Sequence, residues 1–278
     1  MSVETLEKTL RELDCEAVDM DALLQEMLSE IGTTDPVLRD ELIYRTFCHL
    51  VMENHLSEEQ LIETLKTCLD DQHLFYKIGA EKGEAVFTRS FSVLVIALIL
   101  HKDRESSFLP DELIQITTEA VVRYLQEECD VRGYVKGKGW AHSIAHGADA
   151  LDEAIRHDVF RREQIDSCLN TIAGCLFKKG VYVDDEDERL LMAIEALLHK
   201  GLKDDVLATW VKRVDDELTS SFDQEGFSAA FSHTKANVLG FLKSCYFRLK
   251  FRHEAKETMT AIEHVLEKWM KKFYGSGE

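Results

Sequence analysis

Hydrophobic side chains recur every three or four positions along most of the chain, which is the spacing of amphipathic α-helices. In the first segment, Leu6, Leu10 and Leu13 fall on one face of a helix over about residues 3–13. No long stretch alternates apolar and polar residues with a period of two, so no extended sheet is expected. The pattern therefore predicts an all-α fold.

Capping signals mark where several helices begin. Asp35 can cap a helix whose first position is Pro36, and Ser57 with Gln60 forms a capping box. Another helix begins at Pro110. Together with the periodicity, these signals predict helices over about residues 3–13 and 20–30, from Pro36, from Ser57 to about 70, through an apolar run to about Leu100, from Pro110 to about 128, and over about 140–156, 161–177, 185–199, 203–218, 228–249 and 253–273.

About twelve helices joined by short connections favour antiparallel pairing, with one pair roughly every 40–50 residues. This rhythm is typical of a HEAT- or armadillo-like α-α superhelix, and a closed α/α toroid would produce the same rhythm. No low-complexity linker divides the sequence. We therefore expect residues 1–278 to form a single all-helical domain.

Composition limits the classes of partner. Two prolines and 14 glycines in 278 residues are few breakers, as expected for long helices. The net charge of -19 would repel the phosphates of nucleic acids and an anionic membrane surface, so we expect neither partner. The most apolar run, FSVLVIALIL at 91–100, is too short to span a bilayer and predicts a buried helix.

The cysteines and the N-terminus indicate the compartment. The seven cysteines are scattered and form no CxxC pair, which is typical of reduced thiols in a cytoplasmic protein. The N-terminal stretch MSVETLEKTLRELD is charged and lacks the apolar core of a signal peptide. A cytoplasmic location is therefore the expectation.

Candidate chemistry concentrates in the stretch RGYVKGKGWAHSIAHGAD, residues 132–149. Its glycine spacing is not that of a Walker loop. That motif needs four residues between its first glycine and the Gly-Lys pair, and a Ser or Thr directly after the lysine. Lys136 and Lys138 could still bind an anion at a helix N-terminus, and the alternative is a flexible connector. Trp140 could stack on a ligand or pack beneath this loop.

A metal site is the sharpest hypothesis for the same stretch. His142, His146 and Asp149 follow one another by about one helical turn and so share a predicted face, with Glu153 one turn further. Two imidazoles and a carboxylate could bind Zn²⁺ or another divalent transition metal with one position left open. Such a set suits a metal-dependent hydrolase whose metal-bound water is the nucleophile. The alternative is a solvated polar stripe that needs no cofactor.

Several ordered motifs resemble a known family. They are DVRGYVKGKGWAHSIAHGADALDE together with VFTRSFSVLVIALIL at 86–100, DDEDERLLMAIEALL at 184–198 and NVLGFLKSCYFRLK at 237–250. The sequence is similar to the bacterial domain-of-unknown-function family numbered 2785 from about residue 35 onward, which leaves residues 1–35 outside. The resemblance implies an uncharacterised all-helical protein without an established activity. Its motif residues are Arg89, Ser90, Asp130, Arg132, Tyr134, Trp140, His142, His146, Asp149, Asp187, Arg189, Asn237 and Tyr246.

The leading functional hypothesis is a polar concave groove that binds a small polar ligand or a protein segment. Stacked helix pairs place one helix of each pair on the concave side, where polar side chains from different pairs can converge. The alternatives are a metal-dependent hydrolase and an adaptor without a pocket, so catalysis stays open. The candidate ligand-binding residues are Arg89, Arg132, Tyr134, Lys138, Trp140, His142, His146, Asp149, Asn237 and Tyr246.

The C-terminal segment is locally basic within an acidic chain and carries its own apolar stripe. Two interpretations stand: a helix that closes the core, and a helix that contacts a partner or forms a homodimer. The stripe consists of Leu249, Ala255, Met259, Ile262, Leu266 and Met270.

Overall fold

The computed structural model describes residues 2–275 and confirms the all-α class. The regular structure of these residues consists of twelve α-helices, one π-helical segment (Val37–Tyr44), one 3-10 turn (Arg162–Gln164) and one short hairpin. The first seven helices are α1 (Val3–Arg11), α2 (Met20–Ser29), α3 (Arg45–Met52), α4 (Glu58–Cys68), α5 (Ala85–Ser106), α6 (Asp111–Glu127) and α7 (Ser143–Arg156). The other five are α8 (Ile165–Leu176), α9 (Glu186–His199), α10 (Asp204–Glu225), α11 (Ala229–Arg252) and α12 (Lys256–Tyr274).

The predicted capping signals operate as expected. The Ser57 hydroxyl accepts a hydrogen bond from the Gln60 amide at 3.2 Å, and the Gln60 side chain accepts one from the Ser57 amide at 2.9 Å. The Asp35 carboxylate accepts from the Val37 amide at 2.8 Å. The helix that follows Asp35 is not uniform, however, because Val37–Tyr44 is π-helical before α3 begins.

A two-stranded hairpin is the main departure from the expected helices. β1 (Tyr134–Val135) pairs antiparallel with β2 (Gly139–Trp140), with Tyr134 opposite Trp140. Trp140 therefore lies in a strand, and α7 begins at Ser143 instead of near 140. Gly137 and Gly139 have φ angles of 78° and 75°, a region that glycine adopts without steric cost. These glycines shape a defined turn where the sequence suggested a flexible connector.

The chain divides into two compact units, residues 1–160 and 161–278. In the first unit, α5 and α7 form the most extensive helix pair, and α6 packs against α7. Fully buried Phe87, Ile96 and Leu151 belong to this core. The expectation of a single domain stays a prediction, as do the superhelix, its repeat and the toroid alternative.

The second unit has an aromatic core of its own. α10 packs mainly against α12, and α11 contacts α9, α10 and α12. Trp210 and Trp269 are almost completely buried there, together with Phe231 and Phe241. The Trp210 indole N–H donates to the Leu169 carbonyl at 2.9 Å, so this buried polar group is satisfied.

Helix α5 continues past Leu100 to Ser106, beyond its expected end. It is long and apolar enough, by length and composition, to cross a membrane. However, 72% of its most apolar window is buried inside the protein. Core helices of soluble proteins have the same property, and the burial of α5 makes it a core helix of the first unit.

Candidate functional site

The hairpin is held in place by a buried arginine, Arg39 of the π-helical segment. Its guanidinium donates to the Lys138 carbonyl at 2.7 Å and to the Thr33 carbonyl at 2.6 Å. The same group lies 4.4 Å from the Phe87 ring centroid and 4.7 Å from that of Phe91, a cation–π geometry. Because Arg39 is fully buried, these contacts fix the hairpin on the first unit.

Asp40 completes this anchor. Its carboxylate lies 2.9 Å from the Arg39 Nε atom. Burial lowers the pKa of Arg39 and raises that of Asp40, while the attraction between the two charges opposes both shifts. A Cβ on Gly139 would come within 3 Å of both side chains, so glycine is required where the hairpin crosses them.

Three aromatic side chains form a surface on the hairpin, here called the hairpin face: Tyr134, Trp140 and His142. Trp140 stacks on His142 with ring centroids 4.2 Å apart, and Tyr134 meets Trp140 edge-on at 5.0 Å. Tyr134 is 58% exposed and Trp140 is 39% exposed. Trp140 is thus only partly covered, whereas one of the two interpretations of the sequence places it beneath the loop.

His142 does not lie on the α7 helix. It is the N-cap residue and has a left-handed backbone with φ of 47°. A non-glycine residue in this region stores conformational strain, and such residues concentrate at functional sites. The ring is half-buried and lies 5.5 Å from the His146 ring, centroid to centroid.

His146 points into the core. It is 8% exposed, and its Nδ1 atom lies 2.8 Å from the Ser90 hydroxyl of α5. The Ser90 hydroxyl itself donates to the Ala141 carbonyl, so it accepts from His146 Nδ1–H. This bond ties α7 to α5, which makes His146 a structural contact between the two helices that pack most extensively in the first unit.

The proposed metal ligands are therefore in different environments. His142 is half-buried at the hairpin face, His146 is buried against Ser90, and Asp149 is half-buried on α7. Within the described residues, these three side chains together do not form a cluster whose candidate ligand atoms all lie within 4.8 Å of one another. Zinc binding by this set would need side-chain movement and stays a prediction.

Arg89 is bound within the protein. Its guanidinium donates two hydrogen bonds of 2.7 Å to the Glu128 carboxylate and one of 2.9 Å to the Tyr76 carbonyl. Burial alone would lower the pKa of Arg89, but its hydrogen bonds to the Glu128 carboxylate and the attraction of that charge reverse the effect and raise the pKa. Both side chains are buried, so Arg89 joins α5 to the end of α6.

Arg132 and Lys138 lie near the hairpin and are less buried than Arg89. Arg132 pairs with the buried Asp130 and also donates to the Gly83 carbonyl at 2.5 Å. Lys138 pairs with the exposed Glu84 at 2.5 Å. Exposed Lys136, at the tip of the hairpin, makes no ion pair within residues 2–275.

The remaining predicted site residues lie in the second unit. The Asn237 side chain accepts from the Tyr182 amide at 2.9 Å and donates to the Gly180 carbonyl at 3.1 Å, which holds the segment before α9. The Tyr246 hydroxyl donates to Glu263 of α12 at 2.7 Å. Asp187 is half-buried and Arg189 is exposed, both in the first turns of α9.

The C-terminal helix α12 borders an open cleft. A cleft of ≈ 490 Å³ separates α11 and α12, and Met270 and Tyr274 are exposed beside it. Trp269 closes the core from the inner side of the same helix. The homodimer stays a prediction that a molar-mass measurement by light scattering would check.

A family model for proteins of unknown function, DUF2785, matches residues 74–247. The chain belongs to this family. The DUF2785 match confirms the resemblance of the sequence motifs, and it begins at residue 74 instead of near 35. No curated protein and no solved structure is significantly similar to the chain.

Sequence reasoning missed Arg39, Asp40 and Glu128, which hold the candidate site together. They occur in ordinary charged helical sequence, and nothing in their local spacing indicates burial. The bond from Arg39 to Lys138 joins positions 99 residues apart. The one usable signal was Gly139, because a glycine needed for close approach implies a bulky neighbour.

Proposed function

We propose that the chain is a non-enzymatic binding protein and that its hairpin face binds a segment of a partner protein. The observation that carries this proposal is the exposure of Trp140 and Tyr134 on a hairpin fixed from below by Arg39. Tryptophan and tyrosine dominate the energy of protein interfaces because they bury a large area with few rotatable bonds. Rigid support lowers the entropy lost on binding.

Charge narrows the class of partner. Lys136 extends from the tip of the hairpin without an ion pair in the described part of the chain. It lies one residue from β1, which carries Tyr134. The segment that fits best therefore presents an apolar or aromatic side chain to Trp140 and a carboxylate to Lys136. An exposed aromatic face suits such a segment better than a small polar ligand, which is normally enclosed in a concave pocket.

The experiment is a selection of random displayed peptides on the immobilised full chain, followed by fluorescence-anisotropy titration of the selected peptides. Trp140→Ala should weaken binding by about 30-fold or more, the size expected of an interface hot spot. Phe251→Ala, at a ring that is 76% exposed on α11, is the control and should leave binding unchanged. Peptides that bind Trp140→Ala as tightly as the unmodified chain would refute the proposal.

The variant Lys136→Ala tests the contribution of the Lys136 charge to peptide binding, separately from that of the aromatic side chains. It should lower the association rate and flatten its salt dependence, while the dissociation rate changes little.

A cytoplasmic location remains part of this proposal, supported by seven cysteines that form no disulfide in the structure.

The hydrolase alternative predicts a different result. A stoichiometric transition metal, lost in His142→Ala, would favour metal-bound water chemistry over simple binding. The arrangement of the candidate ligands argues against that chemistry, because His142, His146 and Asp149 do not bring three ligand atoms within 4.8 Å of one another. Elemental analysis of the purified protein distinguishes the two functions.

A further inference from the structure

Cys15, His49 and His55 form a cluster in the first unit, away from the hairpin face. Their candidate ligand atoms all lie within 4.8 Å of one another. The Cys15 sulfur is 4.0 Å from His49 Nε2, and the two imidazole rings have centroids 4.9 Å apart. Tetrahedral zinc with ordinary bond lengths separates a sulfur and a nitrogen ligand by about 3.6 Å. The distance between Cys15 and His49 is within about 0.4 Å of that separation.

The backbone fixes each of the three positions independently. Cys15 lies in the turn after α1, where the Asp14 carboxylate accepts from the Glu16 amide at 3.1 Å and the Asp14 carbonyl accepts from the Val18 amide at 3.1 Å. His49 lies on α3. Asn54 turns the chain back with φ of 61°, and the His55 amide then donates to the Leu50 carbonyl at 2.9 Å. His55 is thereby placed beside His49 by the end of its own helix.

A carboxylate orients the central ligand. His49 Nδ1 lies 3.0 Å from the Glu53 carboxylate, one turn later on α3. The carboxylate can only accept, so Nδ1 carries the proton and the lone pair is on Nε2, the atom nearest Cys15. Metal-binding histidines commonly make this bond, because it fixes the tautomer and raises the basicity of the ligand nitrogen.

We infer that Cys15, His49 and His55 bind one Zn²⁺ ion. One thiolate and two imidazoles are the donors that zinc prefers, whereas Mg²⁺ and Ca²⁺ require oxygen ligands. The thiolate and the Glu53 carboxylate together balance the two charges of the ion. His49 and His55 are partly exposed, so the fourth position is open to water or to an external ligand.

The site belongs to the part of the chain outside the family match, which starts at residue 74. It links the turn after α1 to the end of α3. Zinc binding would displace the thiol proton to solvent and would stabilise the folded first unit by mass action. The site is independent of the proposed hairpin face, so either proposal can fail without the other.

The test uses the full chain with Zn²⁺ and with Co²⁺ as a spectroscopic probe. One equivalent of Co²⁺ should produce visible ligand-field bands and a thiolate-to-cobalt charge-transfer band, and Zn²⁺ should remove both. Cys15→Ser should abolish the charge-transfer band. Cys129→Ser, at an exposed thiol on the segment after α6, should retain it.

A second pair of variants grades the affinity by competition with a chromophoric chelator. His55→Asn should weaken Zn²⁺ binding by about 100-fold or more, and Glu53→Gln by about 10- to 100-fold. Both positions are exposed, so helical circular dichroism without metal should be unchanged. A chain that binds no Zn²⁺, or a Cys15→Ser variant that keeps the charge-transfer band and the stoichiometry, would overturn the inference.

Discussion

A buried arginine holds the hairpin face in position, and its removal tests how much of the first unit depends on it. Arg39→Met keeps the length and apolar stem of the side chain but deletes the bonds to Thr33 and Lys138 and leaves Asp40 without its partner. We expect the free energy of unfolding to fall by about 3 kcal/mol, because the Thr33 and Lys138 carbonyls and the half-buried Asp40 carboxylate then lose a charged partner. Urea denaturation measures the change.

Arg123→Met is the matched control. Arg123 is exposed on α6 and pairs with Glu127 four residues later at 2.9 Å. Exposed ion pairs and exposed cation–π contacts, such as that of Arg123 with the Phe75 ring at 4.2 Å, contribute little, so the midpoint should move much less than in Arg39→Met. Similar losses in the two variants would show that Arg39 is not the anchor of the hairpin.

His157 gives the first unit a predictable dependence on pH. Burial lowers the pKa of His157 below its ordinary 6.5, although Asp103, 2.9 Å from its Nε2 atom, opposes the shift. Arg104 also lowers the pKa and Asp158 raises it. The unfolded chain therefore binds a proton more readily than the folded one below pH 6.5, and stability should decrease as the pH falls through that value.

His157→Asn should reduce this loss between about pH 7.5 and pH 5.5, measured as the difference of the urea midpoints at the two values. His264→Asn, at an exposed position on α12, should keep the pH dependence of the unmodified chain. The asparagine amide can still donate to the Asp103 carboxylate, so the substitution mainly removes the imidazole as a titrating group. A steeper dependence in His157→Asn would contradict the assignment.

Helix positions were largely predictable because their signals are local. The Ser57 capping box and the Asp35 cap depend on residues within one turn, and the apolar period reports which face is buried. The hairpin was not predictable in the same way, since its strands have only two residues each and show no period. Its glycines require a turn, but they do not state which tertiary contact fixes that turn.

Helix α7 approaches α6 closely at Gly147, and this contact can be tested with a single methyl group. A Cβ there would lie 2.6 Å from Leu125 Cδ2 and 3.0 Å from Tyr124 Cε1. Gly147→Ala should therefore destabilise the protein by about 1–3 kcal/mol in spite of the better helix propensity of alanine. Thermal denaturation followed by circular dichroism measures it.

Gly174 in α8 provides the opposite case. It is exposed, and a Cβ added there meets nothing within 4 Å. Gly174→Ala should raise the free energy of unfolding by about 0.5–1 kcal/mol through helix propensity alone. The two substitutions should therefore change the free energy of unfolding in opposite directions. A stabilising Gly147→Ala would show that α6 and α7 do not pack as described.

Division into units was beyond the reach of the sequence signals, because it depends on which helices share a core. No composition change marks residues 160–161, and the family match at 74–247 extends across that point. The contacts of the candidate site residues could not be predicted from the sequence for the same reason. Arg89 and Asn237 were expected at a groove, yet the structure gives each of them hydrogen-bond partners within its own unit.

Each unit should fold alone if its core is sufficient. The first contains buried Phe87 and Leu151 on the α5–α7 pair, and the second contains Trp210 and Trp269 on the α10–α12 pair. Both have the size of ordinary independent domains. We expect fragments 1–160 and 161–278 each to be helical and to melt cooperatively by circular dichroism.

Fragment 1–107, which keeps α5 but loses α7, should show no cooperative transition, because α5 then lacks its main packing partner. Failure of both larger fragments to fold would instead favour the single domain expected from the sequence, since neither core would then be stable without the rest of the chain.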